Sequence, residues 1–140
     1  MIQVIAGDKG SGKTKRLIDL ANEALKSEHG DVVFIDDDKR YMYDLRHEIR
    51  FVDAGEFEAI KGKTADAFLG FLSGMLSVNF DLTLICIDAF TKLIKATPIA
   101  ETEGFFASLD ALSRQSSCNF IINISSGAEE LPAFIAQYAI

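Results

Sequence analysis

The sequence predicts an α/β fold: a three-layer sandwich with a mostly parallel sheet of about five strands and helices on both faces. Three observations carry this expectation. Short, continuously apolar runs alternate with stretches whose apolar residues recur at helical spacing, the pattern of strands buried on both sides. A chain of 140 residues with 49% hydrophobic side chains can bury one core and corresponds to one domain, residues 1–140. No repeat, linker or low-complexity stretch interrupts the alternation.

Ile2-Gln3-Val4-Ile5-Ala6 reads as the first strand. After Gly12, Leu17, Leu20, Ala21, Ala24 and Leu25 repeat at helical spacing, and Gly30 is expected to stop that helix. Val32-Val33-Phe34-Ile35 forms a second buried strand closing on Asp36, Asp37 and Asp38. Arg50-Phe51-Val52-Asp53 reads as a short edge strand. Thr64 caps a helix that carries Phe68, Leu69, Leu72, Met75 and Leu76 on one face, weakened by Gly70 and Gly74. Leu82 to Ile87 is the longest β-type apolar run and ends at Asp88. Phe106, Leu109 and Leu112 mark a helix over 102–116, and Phe120 to Ile124 is the last strand. Beyond it, either Ser126 and Glu129 form a capping box or Pro132 opens a short terminal helix.

Composition narrows the function classes. Fourteen Lys and Arg against 21 Asp and Glu give a formal charge of −7, which repels polyphosphate backbones and disfavours nucleic acid as a partner. Cys86 and Cys118 sit in apolar contexts without a metal or disulfide motif. No apolar run approaches the ~18–20 residues that span a bilayer, and Asp8 and Lys9 cut short the first apolar stretch, so neither membrane span nor signal peptide is expected. The expected setting is a reduced cytoplasm. His29 and His47 lie in polar surroundings and read as solvated.

Gly7-Asp8-Lys9-Gly10-Ser11-Gly12-Lys13-Thr14 satisfies G-x-x-x-x-G-K-[ST] at every fixed position, between a predicted strand and a predicted helix. Glycines let the backbone curl so that its N–H groups point at phosphate oxygens, and the helix N-terminus adds partial positive charge. Lys13 is then expected to reach the β- and γ-phosphates, and the Thr14 hydroxyl to bind Mg²⁺. Lys9, although within the loop, reads with Lys15 and Arg16 as a solvated face. Asp88, at the carboxyl end of an apolar strand, is placed to hold Mg²⁺ opposite the loop. No N-K-x-D signature follows the last strand, so adenine is the default base and ATP the expected nucleotide. Water activation has one further acidic source, the end of the second strand. Alternation along a strand would put Asp36 and Asp38 on one face and Asp37 on the other.

These segments resemble the core of RecA-type ATPases. The likeness runs through the loop, Phe34-Ile35-Asp36-Asp37-Asp38, Leu84 to Phe90, and Phe120-Ile121-Ile122-Asn123-Ile124-Ser125. It covers residues 1 to about 126. The resemblance implies that Asp38 takes the water-activating place and that Asn123 or Ser125 lies near the polar sensor. The family usually has Glu where this chain has Asp, one methylene shorter, and Ala89 follows Asp88 where many ATPases have a second acid. The whole chain is also similar to a group of short, stand-alone bacterial P-loop proteins. Some of these carry a label taken from twitching-motility ATPases, which are larger two-domain motors with added acidic and histidine motifs.

The expected function is binding of ATP and Mg²⁺ with slow hydrolysis, Lys13 stabilising charge on the transferred phosphoryl group and Asp38 activating water. Two alternatives stand beside it: a nucleotide-sensing module without turnover, in which the segment from Lys39 to Arg50 responds, and a small-molecule or nucleoside kinase. The expected sheet places the last strand between the loop-bearing strand and the Asp88 strand, with residues 32–36 beyond and 50–53 at the far edge. That order leaves the first strand open on one side. An open apolar edge is a pairing hazard, so the C-terminal segment or a second copy of the chain is expected to cover it. An unknown protein partner stands as a separate alternative.

Overall fold

The computed structural model describes residues 1–27, 29–126 and 130–140. Its elements in chain order are β1 (Ile2–Gly7), α1 (Lys13–Ala24), β2 (Asp31–Asp36), β3 (Arg50–Asp53), α2 (Ala65–Val78), β4 (Leu82–Ile87), α3 (Phe90–Leu93), α4 (Glu103–Ser116), β5 (Asn119–Ser125) and α5 (Ala133–Ala136). Single 3₁₀ turns fall at Met42–Asp44, Ala54–Glu56 and Ile99–Glu101. The five strands form one sheet in the order β1-β5-β4-β2-β3, and every pairing is parallel. The expected sheet order is therefore observed, with β3 at one edge.

Period-two alternation divides the strand residues between two cores. Val33, Ile35, Ile85, Ile87, Phe120, Ile122 and Ile124 face α2, α3, α4 and α5, where Phe68, Phe90, Phe105 and Phe106 pack ring against ring. Val32, Phe34, Leu84, Cys86, Ile5 and Ile121 face Leu17, Ile18 and Ala21 of α1, with Leu45 and Ile49 beside them. The sheet thus has a thick helical layer on one side and a single long helix on the other. Cys86 and Cys118 are buried free thiols, and burial pushes the Cys86 thiol well above its ordinary range.

The other edge, β1, is covered from within. Val4 donates its N–H to the Tyr138 carbonyl and accepts from the Ile140 N–H, both at 2.9 Å. Ala139 bridges Val4 in parallel, while Tyr138 stacks on Phe106 and Ile135 is buried. The C-terminal segment meets the hydrogen-bonding groups of Val4 on that edge.

One local expectation changes, and one pair of alternatives is narrowed. Gly30 does not stop α1, which ends at Ala24. Gly30 stands instead where the chain passes Asp81, and a Cβ there would lie 2.1 Å from the Asp81 carbonyl oxygen. The terminal helix α5 follows Pro132, as one of the two readings had it; Glu129, needed for the other, lies outside the described residues. Among the described residues no helix is long and apolar enough to cross a membrane.

Candidate functional site

The loop between β1 and α1 is built by its glycines. Gly10 and Gly12 have φ of 85° and 86°, in the left-handed region that L side chains rarely adopt. Gly12 is also the residue preceding α1, and among the described residues no side chain caps that helix and no acid stands in its first turn. First-turn amides have no intrahelical carbonyl, so those of α1 remain available to an anion. The Ser11 N–H donates to the Asp8 carbonyl at 3.1 Å, tightening the turn. The Lys13 ammonium folds back and donates to the same carbonyl at 2.9 Å.

Opposite the loop, three strand ends meet. Continuing the alternation of β2, β4 and β5 puts Asp36, Asp88 and Asn123 on the α1 side of the sheet. The Thr14 hydroxyl donates to Asp88 Oδ2 at 3.1 Å, joining positions 74 residues apart. Asn123 Nδ2 and the Ala89 N–H both donate to Asp88 Oδ1, at 3.1 and 3.0 Å. Ala89 itself has a φ of 54°, a strained conformation for alanine, and leads directly into α3. Asp88 is therefore oriented by three donors from three parts of the chain and does not act as a helix cap.

The acidic run departs from simple alternation. β2 ends at Asp36 and the chain turns, so one oxygen each from Asp36, Asp37 and Asp38 lies within 4.8 Å of the others. Asp37 does not point away from its neighbours. Asp38 accepts from the backbone N–H of Arg40 at 2.9 Å and from its guanidinium at 3.0 Å. Asp37 lies 3.8 Å from the Lys92 ammonium. Asp36 is only 2% exposed, and its Oδ2 has no hydrogen-bond partner among the described residues. Burial, and next the charge of Asp88, raise its carboxyl from 3.8 to about 8.

These groups line one cavity of about 800 Å³. Lys9, Gly10, Gly12, Lys13 and Thr14 form one wall, and Asp36, Asp37, Asp38 and Asp88 another. Asn22, Arg40 and Tyr41 extend it beyond α1. Asn22 ties that extension down, donating to the Asp44 carbonyl at 3.2 Å and accepting from the Arg46 N–H at 2.9 Å. Ser125 reaches the cavity from β5, while Asn123 reaches it through Asp88. Gly7 closes β1, and a Cβ there would lie 2.6 Å from Ser11 Oγ. Lys15, exposed at the rim of the same cavity, pairs with Asp19 at 2.9 Å; Arg16 donates to the Ile140 carbonyl at 3.3 Å.

Sequence reasoning passed over Asp36 as the buried acid. Its signal was position: it is the first polar residue after a run apolar on both faces, so it still belongs to the strand. Lys92 and the left-handed Ala89 left no such signal, because α3 is a four-residue helix with too little periodicity to read. No protein-family model matches the chain, and no curated protein is significantly similar to it.

Proposed function

We propose that this chain is a P-loop protein of RecA-like architecture that binds ATP with Mg²⁺ in the cavity above β1, β4 and β5, and hydrolyses it slowly. The observation that carries the reading is the Thr14–Asp88 hydrogen bond beside an uncapped helix whose preceding loop turns on two left-handed glycines. Hydroxyl and carboxylate oxygens are hard donors that suit Mg²⁺, and uncapped amides suit a phosphate chain. On this reading residues 7–14 wrap the phosphates, and Lys13 leaves the Asp8 carbonyl to meet them. Thr14 and Asp88 hold the metal, while Asp38 orients or deprotonates water. The intervening position of β5 between β1 and β4 supports the same resemblance.

One observation favours the second reading, a nucleotide sensor without turnover. Asp38 accepts from Arg40 at both oxygens, from its backbone N–H and from its guanidinium, which makes it a weaker base toward water. Calorimetry with ATP and Mg²⁺ tests the shared claim: saturable binding is expected, and its absence with any purine triphosphate refutes it. Single-turnover phosphate release then separates the two readings. Release lost in Asp38→Asn with binding retained supports hydrolysis; binding without release in either protein supports the sensor.

A further inference from the structure

We propose that Asp36, Asp37 and Asp38, at the end of β2, form a second site for a hard divalent cation, separate from the Thr14–Asp88 position. Three carboxylates converge there, one oxygen from each within 4.8 Å of the others. Convergence of acids alone is common on protein surfaces. What distinguishes this cluster is Asp36, 2% exposed, with Oδ2 unpartnered among the described residues and the side chain lining the cavity. A buried acceptor without a donor carries its full desolvation cost, and more so when ionised. A cation entering from the cavity would satisfy that oxygen.

The remaining donors can accommodate it. Lys92 and Arg40 hold Asp37 and Asp38 through side chains that are 60% and 62% exposed, and ion pairs of that kind contribute little. Carboxylates also retain lone pairs beyond those already used. An all-carboxylate set selects Mg²⁺, Mn²⁺ or Ca²⁺ over thiophilic or imidazole-seeking metals. The site is distinct from Asp88, which stands after β4, is held by Thr14, Asn123 and the Ala89 amide, and is not among the three converging carboxylates.

The role of this cation rests on the nucleotide reading above. A phosphate chain in the loop would face four aspartates across one cavity, and like charges at such range repel. A divalent ion at the end of β2 reverses the local sign on that side. Binding of the ion itself needs no nucleotide, so it can be tested separately.

The experiment is Mn²⁺ titration of the full chain by electron paramagnetic resonance, without nucleotide, with Mg²⁺ as competitor. One bound Mn²⁺ is expected. Asp37→Asn combined with Asp38→Asn, both away from the core, should weaken it by roughly tenfold or more. Asp88→Asn should weaken it by less than about threefold. Asp36→Asn, isosteric at the buried position, should also weaken it, with thermal unfolding confirming that the variant folds. No Mn²⁺ bound at millimolar concentration, or loss that follows Asp88→Asn and not the double variant, overturns the proposal. Failure of ATP binding with Mn²⁺ retained would overturn the nucleotide reading alone.

Discussion

α1 and α2 are amphipathic helices of 12 and 14 residues whose first turns are built in opposite ways. In α2 the Thr64 hydroxyl accepts from the Ala67 N–H at 3.1 Å and the Thr97 hydroxyl from the Ala65 N–H at 2.9 Å. Asp66 adds negative charge where the helix dipole is positive. α1 has Gly12 in place of a capping hydroxyl, no acid in its first turn and Lys13 at its positive end. Capping is worth about 1 kcal/mol, so α1 forgoes stability that α2 takes. The same contrast extends to what α1 faces, where Asp36 and Asn123 each keep a buried oxygen without a partner among the described residues. One helix start is finished by the protein, and the other is left for something else to finish.

The largest expected effect tests whether the α1 side disfavours a charge on Asp36. The Asp36 carboxyl is raised from 3.8 to about 8 by burial and by Asp88. Between those values the native state binds more protons than the unfolded chain, so stability falls as pH rises. Each unit of such a shift corresponds to about 1.4 kcal/mol, which makes the decline measurable by denaturant unfolding between pH 5 and 8. Asp36→Asn is expected to flatten the profile. A flat profile in the unmodified protein would remove half of the contrast.

Next comes Lys13→Ala, which removes a charge-assisted contact worth ~1.5–3 kcal/mol and should weaken ATP binding at least tenfold by calorimetry. A loss below about threefold would argue that the α1 start is not an anion site. Gly12→Ala forces a side chain into the left-handed region and should cost about 1–2 kcal/mol in chemical unfolding, together with nucleotide affinity. Thr64→Ala sharpens the comparison from the other side. It should cost about 1 kcal/mol of stability and leave nucleotide affinity unchanged; a matching loss of affinity would show that the two helix starts are not independent.

Much of this was legible from residues. The strands and long helices followed from periodicity, because parallel strands buried on both faces must be continuously apolar. The sheet order and the need to cover β1 followed from the resemblance and from the pairing hazard of a bare edge. Lys13, Thr14 and Asp88 were readable as one group from their motif and strand positions, and the Thr14–Asp88 hydrogen bond joins two of them. Asp38 was harder. Its pairing with Arg40 depends on where the chain turns after β2, and strand alternation does not encode that turn.

The order of apolar and polar residues along 140 positions determined which segments become strands, which become helices, and where a glycine-rich turn must lie between β1 and α1, because those are local matters of period and backbone freedom. Only the folded chain decided that residues 138–140 lie along the β1 edge at Val4, that Ala89 adopts a left-handed conformation, and that Asp36 is buried with one oxygen unpartnered among the described residues. Each of those depends on groups brought together from distant positions, where desolvation and hydrogen bonding are settled by neighbours that the local sequence does not contain.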